Sequence, residues 1–202
     1  MAKLTAPLMS FTATGQLAQS LVYFGWKGLN VVRKYVIPTN PKTTKQTTQR
    51  GYLSDAVDEV HTLQADATHP LGAADTAAYS LWGGVFPTPR TWFNQAVKNV
   101  VDVVVAGNTA ALFGSGALDN STPGQLDVEV YTDEASLANG KFFYGTSKTA
   151  LINSEDAVIA DKKCSATISS LTAGTKYFVQ FRADTGDDCE GAQSGIYSEY
   201  AT

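Results

Sequence analysis

The sequence predicts two domains, a small α+β domain built from a β-hairpin and helices, followed by an all-β sandwich. Three patterns predict it. β-Branched and aromatic residues crowd positions 21–37, apolar residues then recur at three- and four-residue steps to about residue 104, and short β-prone runs separated by turn residues fill the chain beyond Gly124. Of the 202 residues 44% are hydrophobic and 17% charged, a composition that supports a packed core and excludes wholesale disorder.

Residues 1–20 are small and polar with scattered Leu4, Leu8, Phe11 and Leu17, and read as an extended arm or a weak strand. Leu21 to Phe24 and Leu29 to Ile37 are strand-like, and Gly25-Trp26-Lys27-Gly28 between them supplies the permissive residues of a hairpin turn. Alternation places Leu29, Val31, Arg33, Tyr35 and Ile37 on one face of the second strand.

Pro38 ends that strand, and Asn40-Pro41 predicts a helix start with Asn40 as the cap. The helix carries one apolar stripe of Leu53, Ala56, Val57, Val60 and Leu63, whereas Lys42 to Arg50 is polar and threonine-rich and is not expected in the core. A short alanine-rich helix from Ala73 to Trp82 follows. Thr88-Pro89 then predicts the start of a third helix with Trp92, Phe93, Ala96, Val97, Val100, Val101 and Val104 on its apolar face.

The expected domains are 1–106, a hairpin-plus-helices docking domain, and 124–202, the sandwich, with the Gly-, Ser- and Asn-rich stretch 107–123 as linker or first strand. Strands are expected at Leu126 to Thr132, Lys141 to Tyr144, Ala157 to Ile159, Ser165 to Leu171, Lys176 to Ala183 and Ile196 to Tyr200.

Charge is unevenly placed. Residues 1–106 hold nine Lys and Arg against six Asp and Glu, residues 107–202 hold six against thirteen, and the first acid is Asp55. The candidate contact residues are therefore Trp26, Lys27, Arg33, Lys34, Lys42, Lys45 and Arg50, all inside the acid-free stretch Leu21 to Arg50. A solvated basic face without a partner is the alternative. Basic residues near Trp26 and Tyr35 would also suit nucleic acid, but the overall isoelectric point near 5.1 and the lack of a recognised nucleic-acid motif argue against it.

No catalytic, cofactor or metal residues are assigned. His61 and His69 accompany no nucleophile signature, and Gly114-Ser115-Gly116 and Gly140-Lys141 fail the phosphate-loop patterns and read as turns. The acidic run Asp184 to Glu190 lacks the ligand spacing of a calcium loop and reads as solvated, with calcium as the alternative. Asn120-Ser121-Thr122 matches a glycosylation sequon. With no apolar leader at the start and no run long enough to span a bilayer, the chain is expected to be made in the cytoplasm without a signal peptide and to contact no membrane.

Two resemblances add to this reading. KFFYGTSKTAL, SATISSLTAGTKYFVQFRAD and GIYSEYAT resemble the later strands of a fibronectin type III domain, over about the last eighty residues. The likeness implies that Tyr177, in Leu171-Thr172-Ala173-Gly174-Thr175-Lys176-Tyr177, folds its hydroxyl back onto nearby backbone. The family's tryptophan on the second strand is absent, with Tyr131 nearest. The implied strand order brings Cys164 and Cys189 to one end of the sandwich, which admits a disulfide. Two reduced thiols are the alternative.

Trp26-Lys27 flanked by glycines, Arg33-Lys34-Tyr35-Val36, Pro38-x-Asn40-Pro41-Lys42-Thr43 and Gln46-x-x-x-Arg50 resemble a motif of small structural proteins from tailed bacteriophages. The resemblance implies a non-enzymatic virion protein, foremost a capsid-associated accessory or decoration protein. It would dock through its basic front on other virion proteins and on copies of itself. A tail or neck component, or a module binding host-surface glycan or protein, are the alternatives.

Overall fold

A computed structural model describes the backbone of residues 2–4 and all of residues 13–202. The chain forms two compact units, Met1–Thr43 and Thr44–Thr202. Among the described residues it combines three helices with antiparallel sheets in an α+β fold, and no helix there is long and apolar enough to cross a membrane.

The first unit contains one antiparallel sheet of β1 (Ala2–Leu4), β2 (Gly15–Leu17), β3 (Leu21–Trp26) and β4 (Leu29–Lys34), in the order β1-β4-β3-β2. The expected hairpin is β3–β4, with a shorter turn than the glycine spacing predicts. Lys27 and Gly28 both have positive φ, 48° and 76°, the backbone of a two-residue reversal whose twist matches the strands. Gly25 consequently stays in the strand opposite Asn30, and Trp26 is the last strand residue, opposite Leu29. The register puts Val22, Phe24 and Trp26 on one face with Leu29, Val31 and Arg33.

In the second unit, α1 (Thr44–Gln64) begins later than the Asn40-Pro41 signal predicts. Lys42 is left-handed, with φ 46°, so the residues after Pro41 cannot continue a right-handed helix. Ala56, Val60 and Leu63 are buried as expected, but Leu53 is 53% exposed, and Thr44 to Arg50 is exposed throughout. α2 (Ala73–Gly83) matches its expected span. α3 (Trp92–Ala106) is capped by Thr91, whose Oγ1 accepts the Asn94 N–H at 3.3 Å, in place of the expected Thr88-Pro89 start. Its last turn closes on Gly107, at φ 93°.

The remaining strands are β5 (Phe113–Asp119), β6 (Leu126–Thr132), β7 (Gly140–Gly145), β8 (Asn153–Asp156), β9 (Val158–Ala160), β10 (Lys163–Ile168), β11 (Lys176–Ala183) and β12 (Tyr197–Tyr200). They form two four-stranded antiparallel sheets, β5-β6-β10-β9 and β12-β11-β7-β8. Phe113, Val128, Val130, Phe142, Cys164, Val179 and Phe181 fill one apolar core with their neighbours. Phe142 and Phe181 meet edge-on, with ring centroids 5.3 Å apart.

The unit boundary at 43/44 differs from the expected division at 106 to 124. Apolar contacts explain the difference. Ala78 of α2 and Val103 of α3 enter the sandwich core, while Leu112, Ile196 and Phe178 of the sandwich join Val60, Tyr79, Trp82 and Val100 in the helical core. Of the two readings of residues 107–123, linker or first strand, the structure has the strand, since Ala111, Leu112 and Phe113 are almost wholly buried and lead into β5.

Candidate functional site

The seven candidate contact residues fall in two groups. Trp26, Lys27, Arg33, Lys34 and Lys42 belong to the first unit, and Lys45 and Arg50 to the exposed amino-terminal half of α1 in the second. Within the first unit, Lys27 Nζ lies 5.9 Å from the Trp26 ring centroid and the Arg33 guanidinium 5.4 Å from that of Phe24. Cations thus sit along an aromatic sheet face, with Trp26 52% exposed. Lys34 is on the opposite face, opposite Leu21, and Lys42 is exposed in the connection to α1.

The second unit contains a site that sequence patterning does not reveal. Asp75, 1% exposed at the start of α2, accepts four hydrogen bonds. Oδ2 receives the N–H groups of Gly72 (2.7 Å) and Ser115 (3.0 Å), and Oδ1 receives the Gly116 N–H (2.9 Å) and the Tyr197 hydroxyl (2.7 Å). Backbone N–H donors and a helix amino terminus compensate the buried charge. Beside the carboxylate, burial raises the Tyr197 hydroxyl well above the ordinary tyrosine range. The Gly114-Ser115-Gly116 stretch, expected to be a turn, is an irregularity inside β5. Pairing with β6 shifts between Gly114 and Ala117, and Ser115 has φ 47°.

A second carboxylate group joins α1 to the connection after β6. Burial, with Asp133 and Glu134 beside it, pushes Glu59 up to about 7. Burial raises Asp133 as well, although its Oδ1 accepts the Leu112 N–H at 3.3 Å.

The cysteines are free. Cys164 is in the sandwich core, where burial pushes its thiol up to about 12, and Cys189 Sγ is 3.5 Å from Ser136 Oγ. Of the two alternatives for this pair, the structure has the two free thiols, both buried in the sandwich core, with Cys189 in the loop after β11. The acidic run is not uniformly solvated either. Asp187 is 8% exposed and accepts the N–H groups of Ala138, Asn139 and Cys189, and Glu190 accepts that of Gly186. These carboxylates organise backbone, and among the described residues no group of three or more His, Cys, Asp or Glu is placed to hold a metal ion. His69 stacks on Tyr131 at 3.7 Å between centroids, and His61 lies against Phe93 at 6.0 Å.

On the outer face of β5-β6-β10-β9 is an open groove of about 450 Å³. Ala117, Ser165 and Thr167 line it with Val158, and its charged groups are Asp119, Asp127, Glu129 and Lys163. Lys163 is paired with Glu129, and Thr167 donates its hydroxyl to Asp127, so the carboxylates dominate. No family model matches the chain, and no curated protein sequence matches it.

Proposed function

We propose that the chain is a non-enzymatic virion structural protein, a capsid-associated accessory or decoration protein that docks through its basic amino-terminal sheet. The observation that carries this reading is the incompleteness of that sheet. Among residues 13–43 only Val31 is buried, while Trp26 and Leu29 of the sheet are 52% and 44% exposed, and Val36 and Ile37, in the segment after β4, are 69% and 73% exposed. A sheet with exposed apolar side chains gains stability by covering them, and cations around the face select an acidic partner surface. The particle as the place of docking rests on the resemblance of residues 26–50 to structural proteins of tailed phages.

For the second unit, a fibronectin type III-like sandwich is the reading its strand order supports. Consecutive strands distribute as β5-β6-β10-β9 and β12-β11-β7-β8, the order of an immunoglobulin-like sandwich. The Tyr177 hydroxyl accepts the Thr172 N–H at 3.2 Å, five residues upstream, as a tyrosine corner requires.

The test is incorporation of the full chain into particles. Changing Arg33, Lys34 and Arg50 together to Glu is expected to abolish incorporation while leaving the fold of residues 44–202 intact by circular dichroism. Unchanged copy number in purified particles would remove the basic stretch as the anchor.

A further inference from the structure

The charge of the chain divides at the same place as its fold. Residues 1–43 hold five Lys and Arg and no acid, while residues 44–202 hold ten against nineteen Asp and Glu. A net −4 chain therefore consists of one wholly cationic unit and one strongly anionic unit. Such a molecule is self-complementary in charge without being symmetric.

The anionic unit has an open groove on a sheet face that matches the cationic unit in sign. The groove over β5-β6-β10-β9 has small side chains, Ala117 and Ser165, on neighbouring rows, because Ala117 pairs across from Glu129 and Glu129 across from Ser165. Asp119 and Asp127 face each other across β5 and β6 at one end, and Val158, 68% exposed, flanks the other side. Among the described residues the cation lining the groove is Lys163, which is engaged by Glu129. Asp119 and Asp127 are exposed and have no cation paired with them among the described contacts, although Asp119 accepts the Ser121 N–H and Asp127 the Thr167 hydroxyl, so their negative charge lies beside a floor of small side chains.

The β3–β4 hairpin presents the matching chemistry. Trp26 is a large, exposed aromatic at the strand end, Lys27 stands beside it in the turn, and Arg33 follows on the same face. An indole anchor flanked by cations pairs with a shallow groove of small residues rimmed by carboxylates.

We propose that the amino-terminal hairpin of one copy docks in the acidic groove on β5-β6-β10-β9 of a second copy, in a head-to-tail contact. The proposal deepens the docking reading, since a decoration protein present in many copies brings such neighbours within reach. Because donor and acceptor are different surfaces, each bound copy still offers one of each, and the contact propagates into rings or open chains.

Sedimentation of the full-length protein over a range of concentrations tests this. Wild type is expected to self-associate with rising concentration, and added salt is expected to weaken the association by about tenfold or more. Two charge-neutralised variants, Lys27→Ala/Arg33→Ala and Asp119→Asn/Asp127→Asn, are each expected to sediment as monomers. Mixed together they are expected to form a one-to-one dimer, because the first retains an intact groove and the second an intact hairpin. Circular dichroism of each variant alone verifies its fold.

A wild type that stays monomeric at every concentration overturns the proposal, as does a mixture that stays monomeric. Either result leaves the particle-docking reading standing, because that is read separately from incorporation. A mixture that dimerises although the Arg33/Lys34/Arg50 variant enters particles normally would support the copy-to-copy contact and remove the docking reading alone.

Discussion

Tyr197 on β12 donates its hydroxyl to Asp75 at the start of α2 across 2.7 Å, joining residues 122 positions apart in one buried pair. The same carboxylate holds the β5 irregularity through the Ser115 and Gly116 N–H groups, so one side chain ties helix, first strand and last strand together. The Gly116 position is part of that fit. A Cβ there would lie 2.2 Å from Tyr197 Cζ, which leaves no room for a side chain without displacing the ring.

Asp75→Asn is accordingly expected to be far more harmful than its near-identical shape suggests. An amide retains one acceptor oxygen and turns an NH₂ toward backbone N–H donors, leaving buried donors unpaired at a cost of about 3 kcal/mol or more. Tyr197→Phe removes one charge-assisted bond and is expected to cost about 1–3 kcal/mol. Urea unfolding of the single and double variants measures both losses and their coupling. If the two losses add without interaction, the pair does not act as the clamp described.

The elements were legible in the sequence where a single local pattern decides them. The apolar period of α3, the β-runs of β6 and β11 and the reversal near Gly28 all stand in the sequence and in the structure. What sequence patterning misses are long-range pairings. Asp75 looks like an ordinary helix-start acid until Ser115, Gly116 and Tyr197 arrive from distant positions. β5 falls in the stretch read as linker or first strand, and its irregular part is the surprise, because Gly114-Ser115-Gly116 has turn composition but is held as an irregular strand by that carboxylate. β8, Asn153–Asp156, has four exposed polar residues and no apolar alternation to announce it. The domain division followed from reading the helices apart from the strands, whereas Leu112, Ile196 and Ala78 merge them through contacts no composition shift reports. For the candidate contact residues, the acid-free charge pattern, Trp26 and the alternation that parts Arg33 from Lys34 were visible, but the cross-strand pairing that puts Phe24 and Trp26 on the Arg33 face needed the register.

The cysteine assignment leads to a redox prediction. Both thiols are buried, Cys164 within the sandwich core and Cys189 against Ser136, and burial raises both above the ordinary thiol range. Buried neutral thiols are poor nucleophiles. A thiol reagent is expected to label neither in the folded protein and both after unfolding, and a reductant is expected to leave the melting temperature unchanged. A drop in melting temperature on reduction, of the order of several degrees for a loop-closing bond, would instead indicate a disulfide.

Glu59 makes stability depend on pH in the direction opposite to a salt-bridged acid. Its folded-state value near 7 lies above the unfolded value of 4.5, so between these limits the folded chain holds a proton the unfolded chain has released. Stability from this group is complete below about 4.5 and declines as pH rises through 7, where ionising the carboxyl beside Asp133 and Glu134 becomes unavoidable. Because the side chain is partly open to solvent, screening reduces the effect to about 1–2 kcal/mol. Glu59→Gln keeps the shape without the charge and is expected to gain on wild type by that amount between pH 5 and pH 8 (values of about 5 and about 8 bracketing the transition). Subtracting the two denaturation curves at each pH cancels the other titrating groups. A difference that stays flat across the range would show that Glu59 ionises without cost, and that the three carboxylates are not held together as the fold places them.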